Sequence, residues 1–153
     1  MTGAPGTGVA PAERLARAAL TRVAEPPLGS LIRLVERVGA EQAWAEVRSG
    51  RADLPDDVVA RLVVRARETR PERDLERVES LGGRLICPGD SDWPAALEVL
   101  DAVAAAPLAL WVRGPASLAE ATGAAVALVG ARAATDYGTH IAAELAAGLA
   151  DRC

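Results

Sequence analysis

Val126-Ala-Leu-Val-Gly130-Ala-Arg132-Ala-Ala-Thr135-Asp136-Tyr137-Gly138 reads as a short buried strand running into a turn that opens a helix. Val126 to Val129 is a wholly apolar aliphatic run, and Ile141, Leu145 and Leu149 follow at the i, i+4, i+8 spacing of a helix packed on a sheet. A strand-turn-helix leaves the first N–H groups of the helix, and the positive end of its dipole, facing whatever lies above the strand's carboxyl end. Open α/β sheets bind anionic ligands there, so a phosphate is expected at this turn.

The segment before this stretch extends the pattern. Composition shifts at Gly82-Gly83, after which Arg84-Leu-Ile-Cys87 reads as a strand. Pro88-Gly-Asp-Ser-Asp92 is a turn cluster whose last residue is positioned to cap a helix over Trp93 to Leu100, with Pro94 in its first turn. Leu108 to Arg113 is a second strand closed by Gly114-Pro115, and residues 116–123 form a connection. The order β, α, β, connection, β, α predicts a Rossmann-like, doubly wound α/β domain with parallel strands over residues 82–153. Such sheets have roughly five to six strands, so about three predict that this is the first half of a domain and that the chain is the front part of a longer protein.

Upstream, residues 11–81 are helical in pattern throughout. Pro11 opens a first amphipathic helix, and Pro26-Pro27-Leu28-Gly29-Ser30 breaks it, with Ser30 able to cap the next. Leu31, Leu34, Val35 and Val38 line that second helix, which Gly39 ends. Further helices run from Glu41 to Arg48, from Pro55 through Ala66, and from Pro71 to Leu81. Short helices joined by Gly-bearing turns resemble a SAM-like or helix-hairpin-helix module, which holds either DNA backbone or another protein. The 13 arginines of Pro11 to Ser80 are matched by 13 acidic residues, which weighs toward a structural or partner-binding bundle. The Arg61/Arg65 and Arg70/Arg73/Arg77 rows read as i, i+4 partners of nearby acids.

Composition bounds the function. Of the 153 residues 50% are hydrophobic and 25% charged, the balance of a globular chain. With no Phe, the core must be Leu, Val and Ala around Trp44, Trp93 and Trp111. All 17 basic residues are arginine, which fits a GC-rich codon usage, and the net charge of -4 argues against a globally basic nucleic-acid binder while leaving room for a local basic pocket. Cys87, Cys153 and His140 are too few and scattered for a metal set, and no cofactor is expected. No apolar run reaches the roughly 18 to 20 residues of a membrane span, and no secretory signal opens the chain, so a cytoplasmic protein is expected. Residues 1–10 have the Gly/Pro-rich composition of a disordered tail. Within them Gly3-Ala-Pro-Gly-Thr-Gly8 imitates a P-loop but lacks the Lys-Ser/Thr that such a loop requires.

Three phrases together resemble the DprA family, also called Smf, the DNA-processing proteins of bacterial natural transformation. They are Pro88-Gly-Asp-Ser-Asp-Trp93-Pro94 with Leu97, Pro107-Leu-Ala-Leu-Trp111-Val-Arg-Gly114, and the stretch from Val126 to Gly138. With the preceding helical segment, the resemblance covers residue 12 to the end. It implies a recombination mediator, not an enzyme, that binds single-stranded DNA through an extended Rossmann-like domain, shields it, loads RecA onto it and self-associates, expected as a homodimer in the intact protein. The family's Gly-Ser/Thr-Arg turn falls on Gly130-Ala131-Arg132, so Arg132 is expected to hold a DNA phosphate, with Gly130 letting backbone approach closely. A guanidinium above a helix N-terminus suits a bidentate phosphate grip. Thr135 can cap the helix or donate to the same phosphate, and Tyr137 and Gly138 complete the turn.

The chain departs from the pattern at Ala131, where a hydroxyl is usual in the family. The loss weakens a phosphate contact by about 0.5 to 1.5 kcal/mol if that hydroxyl makes one. The family's next Ser-Gly-x-Ala-x-Gly-Ile-Asp type phrase is also absent. Two other readings compete. One is a phosphoribohydrolase-like nucleotide enzyme on a related Rossmann fold, whose Pro-Gly-Gly-x-Gly-Thr-x-x-Glu loop is missing; the other is a truncated product without function of its own. An NAD site is disfavoured because Gly130 lacks the further glycines of G-x-G-x-x-G.

Overall fold

The computed structural model describes residues 8–25 and 29–150. The expected tail and the P-loop imitation lie outside the described residues up to residue 7, as does the Pro26-Pro27-Leu28 break. Five helices come first: α1 (Pro11–Val23), α2 (Gly29–Val38), α3 (Ala40–Ser49), α4 (Asp56–Ala66) and α5 (Pro71–Ser80). Their ends follow local chemistry. Pro11 and Pro71 occupy the first turns of α1 and α5, where a missing N–H costs nothing. Gly50 closes α3 at φ 69°, its N–H bonded to the carbonyls of Glu46 and Val47, in the left-handed conformation a glycine adopts without strain. Helix α2 begins at Gly29, so Ser30 is inside it and is not its cap.

The core of this helical segment is aliphatic, as the composition requires. Leu20 and Val23 of α1, Leu31 and Leu34 of α2, and Val47 of α3 are almost fully buried, with Val58, Leu62 and Ala66 of α4 joining them. At about 1.5–3 kcal/mol for each fully buried large aliphatic side chain, this cluster supplies the main drive for folding. Trp44 packs against its edge. A second, smaller cluster of Ala18, Leu85, Cys87 and Ala109 joins the other face of α1 to the strands that follow.

Strands β1 (Gly83–Ile86) and β2 (Leu110–Arg113) pair antiparallel, with Gly83 opposite Arg113 and Ile86 opposite Leu110. A nine-residue 3-10 helix, Ala95–Val103, lies between them, followed after β2 by α6 (Leu118–Thr122) and α7 (Asp136–Ala150). The protein is α/β in content, mostly helical with a small two-stranded sheet.

Two expectations are corrected by this arrangement. The doubly wound parallel sheet is replaced, among the described residues, by an antiparallel pair. The Pro88–Trp93 turns and the 3-10 helix do not form a full crossover helix, and the chain returns beside β1 in the opposite sense. The expected strand at Val126–Val129 carries no ladder, and β1 and β2 pair only with each other. Its side chains are correspondingly open, with Val126 at 56% and Val129 at 93% exposure, and α7 buries no residue.

Candidate nucleic-acid interface

The turn before α7 is built from the helix backward. The Thr135 hydroxyl accepts the Gly138 N–H at 3.2 Å, and its carbonyl accepts from Thr139 at 2.9 Å, so Thr135 is the cap of α7. A cap of this kind satisfies one of the N–H groups that a helix start leaves open. A side chain on Gly138 would meet that hydroxyl at 3.5 Å. Thr135 and Gly138 are thus brought together by direct contact.

Arg132 lies three residues before the cap and is exposed, and among the described residues no carboxylate comes within 4 Å of it. Asp136, four residues on, forms no ion pair with it. Gly130 has open space where a side chain would stand, and Ala131 is exposed. Tyr137 is 75% exposed, so it does not pack as expected of a core residue, and its ring is available to solvent. His140 faces Glu144 one turn on, at 3.4 Å. Gly130, Arg132 and Tyr137 are all exposed, and no hydrogen bond joins their side chains among the described residues.

What sequence reasoning did not identify is the tertiary role of the two aspartates of the Pro88–Pro94 phrase. Asp90 accepts both terminal nitrogens of Arg14, at 2.9 and 2.7 Å, together with the N–H groups of Cys87 (2.8 Å) and Val9 (3.1 Å). Burial alone would raise its pKa; the Arg14 guanidinium and the two backbone donors outweigh burial and hold the carboxyl below its usual range. The same bond raises the pKa of Arg14. Asp92, read as a helix cap, instead accepts from Arg84 at 2.6 Å, the Ser117 hydroxyl at 2.7 Å and the Ala119 N–H at 3.2 Å, and these donors lower its pKa strongly. Ser117 in turn caps α6.

These contacts make the phrase a fastening. Asp90 ties the turn to α1, and Asp92 ties β1 to the start of α6. Arg14 also donates to the Leu85 carbonyl at 2.7 Å and Arg17 to that of Leu108 at 2.9 Å, so one face of α1 grips both strand segments. Trp111 adds an indole N–H to the Thr21 hydroxyl at 3.2 Å, which makes it a seam residue between β2 and α1. Cys87 is fully buried, and burial pushes its thiol up to about 11, against the pull of Arg14. That thiol is therefore protonated and unreactive at neutral pH. Among the described residues no acidic, His or Cys group is clustered for a metal ion, and no helix is long and apolar enough to cross a membrane.

Comparison with known proteins bears on the same segments. Residues 84–153 match the family model described as DNA recombination-mediator protein A. Two curated relatives, from Mycobacterium tuberculosis strains CDC 1551 / Oshkosh and ATCC 25618 / H37Rv, are each 43% identical over 141 residues and by name are DNA processing protein DprA. The alignment covers 87% of this chain and 36% of each relative, so the chain spans about a third of their length. No solved structure matches. The fastened Pro88–Pro94 turn, the Trp111 strand and the Gly130–Gly138 turn all lie within the matched residues, and it is this segment that is similar to the DNA recombination-mediator protein A (DprA) family.

Proposed function

We propose that the chain belongs to a single-stranded DNA-binding recombination mediator that protects DNA during natural transformation and loads RecA onto it. The observation that carries this reading is Arg132, an exposed guanidinium without a carboxylate partner, on a glycine-bearing turn just ahead of a capped helix start. In the proposed arrangement Arg132 grips a backbone phosphate. Gly130 allows the strand close approach, Thr135 fixes the helix N–H groups toward the same phosphate, and Tyr137 offers a ring to a base. Ala131 contributes no side-chain donor.

The family match beginning at residue 84 supports a division into a helical SAM-like unit over 11–81 and a DprA unit over 82–153. RecA and a second copy of the protein are the proposed partners, DNA strand handling rather than bond-making chemistry is the proposed activity, and the cytoplasm is the proposed location. Fluorescence anisotropy with a labelled oligothymidine tests the reading. Binding is expected to be salt-sensitive and to fall about tenfold or more in Arg132→Ala, the loss of one strong charge-assisted hydrogen-bonding group. Tight binding of nucleoside monophosphates with hydrolysis, and no affinity for the oligomer, would sink it.

A further inference from the structure

The arginines of the helical segment are balanced by acids in number but not in space. At the junction of the C-terminal ends of α3 and α4 with the start of α5 lies a cleft of about 710 Å³, lined by Trp44, Arg48, Arg67, Arg70 and Glu72 among others. Its volume is within the range of sites that hold a small ligand such as a nucleotide. Three guanidinium groups face one carboxylate there, and among the described residues none of the three has a carboxylate within 4 Å. Some exposed arginines elsewhere on the helical segment are paired, as Arg37 is with Asp53 and Arg61 with Asp57, whereas the cleft gathers three that are not.

The cleft is also organised. The Arg48 guanidinium stands over the Trp44 ring, 5.8 Å from its centroid, while Trp44 is anchored against the main core. Arg70 donates to the carbonyls of Arg67 and Thr69 at 3.0 and 2.9 Å, which fixes its head at the cleft wall with other donors free. Arg70 also lines an adjoining cleft of about 520 Å³, where Arg22, Arg73 and Arg77 stand among Glu68, Asp74 and Glu76, so the predominance of guanidiniums is weaker there than in the Trp44 cleft. An indole with a stacked planar cation, flanked by guanidiniums without carboxylate partners, has the chemistry that takes an unpaired base and its flanking phosphates.

We propose that the Trp44–Arg48–Arg67–Arg70 cleft is a second contact for single-stranded nucleic acid, separate from the Arg132 turn; it rests on the reading of the chain as a single-stranded DNA binder. A base stacks on the Trp44–Arg48 pair, and Arg67 and Arg70 hold the phosphates on either side. Duplex DNA is disfavoured, because a base must first be unpaired and unstacked before it can reach the indole.

The test uses the full chain and a labelled oligothymidine, with anisotropy titrations over a range of salt and ultraviolet cross-linking mapped by peptide mass spectrometry. A cross-link on the peptide bearing Trp44 is expected in the unaltered protein. Arg48→Ala/Arg67→Ala is expected to weaken binding at least fivefold and to reduce the magnitude of the salt slope by roughly 0.7, the value for the one single-strand phosphate contact, that of Arg67, which it removes. Arg48→Lys/Arg67→Lys is expected to restore the slope without restoring the cross-link. If Arg132→Ala weakens binding while the double alanine variant leaves affinity and slope unchanged and Trp44 is not cross-linked, the cleft assignment is overturned and the Arg132 reading stands. If the unaltered protein does not bind the oligomer, both fall. Equal competition by duplex DNA overturns the stacking assignment.

Discussion

The guanidinium of Arg14 holds both carboxylate oxygens of Asp90 across 76 residues of sequence, at 2.9 and 2.7 Å. The pair is partly buried, and the remaining valences of Asp90 are filled by the Val9 and Cys87 N–H groups. Removing either member strands the other among groups arranged for it. Arg14→Ala and Asp90→Ala are each expected to lower unfolding free energy by roughly 1.5–3 kcal/mol, the range for hydrogen bonds to charged groups. The double variant should lose less than the sum, because the two act as one unit. Urea denaturation of the four proteins of the cycle measures this, and full additivity would mean that the bond is stabilising nothing.

The same fastening carries a pH dependence. Asp90 and Asp92 both have folded-state pKa values below the ordinary carboxylate value of about 3.9. Between the folded and unfolded values the unfolded chain binds more protons, so stability rises with pH in that window. The contribution is fully present above the unfolded value and is lost as pH falls through the folded values. Thermal midpoints are therefore expected to be insensitive to these two groups near neutrality and to drop steeply below about pH 4. Asp90→Asn should start from a lower midpoint and show a shallower acid limb. An unchanged acid limb in that variant would remove Asp90 from the account.

Cys87 gives a sharper probe of the packing beneath the turn. Its thiol is fully buried and its pKa is pushed up to about 11. In a Cys153→Ser background, Ellman's reagent at pH 8 is expected to leave the folded protein unmodified over minutes and to titrate one thiol once denaturant is added. Rapid reaction of the native protein would mean that β1 separates readily from α1.

What the sequence made legible was local. Pro11, Gly39, Gly50 and Pro71 mark helix boundaries through their own backbone restrictions, and they appear where those restrictions place them. Arg14 and Asp90 carry no such mark, since nothing within a few residues of either names the other. The turn reading of Pro88–Asp92 was sound in conformation but silent about what its aspartates grip. Val126–Val129 failed for a third reason. An apolar run states that a segment can be buried in a sheet, whereas a ladder needs a paired strand, and β1 and β2 pair only with each other. The Trp44 cleft was hidden by counting, because equal numbers of arginines and acids say nothing of which arginines are left without partners.

Gly83 tests the close meeting of α5 with the sheet. A Cβ there would come within 2.7 Å of the Val112 carbonyl oxygen and of a Val78 methyl group. The carbonyl belongs to the paired strand and cannot move without breaking the β1–β2 register, so the conflict falls on backbone. Gly83→Ala is expected to destabilise by about 1–3 kcal/mol, in the range of overpacked sites. Gly130→Ala meets nothing within 4 Å and should be nearly neutral to stability. Parallel melts compare the two, and equal effects would contradict the described approach of Val112 and Val78.

At the Arg132 turn, stability and binding should separate by residue. Thr135 holds the start of α7 through its bond to the Gly138 N–H, so Thr135→Ala is expected to cost about 0.5–2 kcal/mol locally and to fray the first turn. Thr135→Ser keeps the oxygen and should keep the turn. Arg132 has no partner to lose, and Arg132→Ala should leave amide protection along α7 unchanged while lowering oligothymidine affinity. Hydrogen exchange on the three variants, read beside anisotropy, distinguishes a ligand-gripping arginine from a structural one. Loss of protection in Arg132→Ala equal to that in Thr135→Ala would assign Arg132 to the fold of the turn and leave the phosphate without its proposed holder.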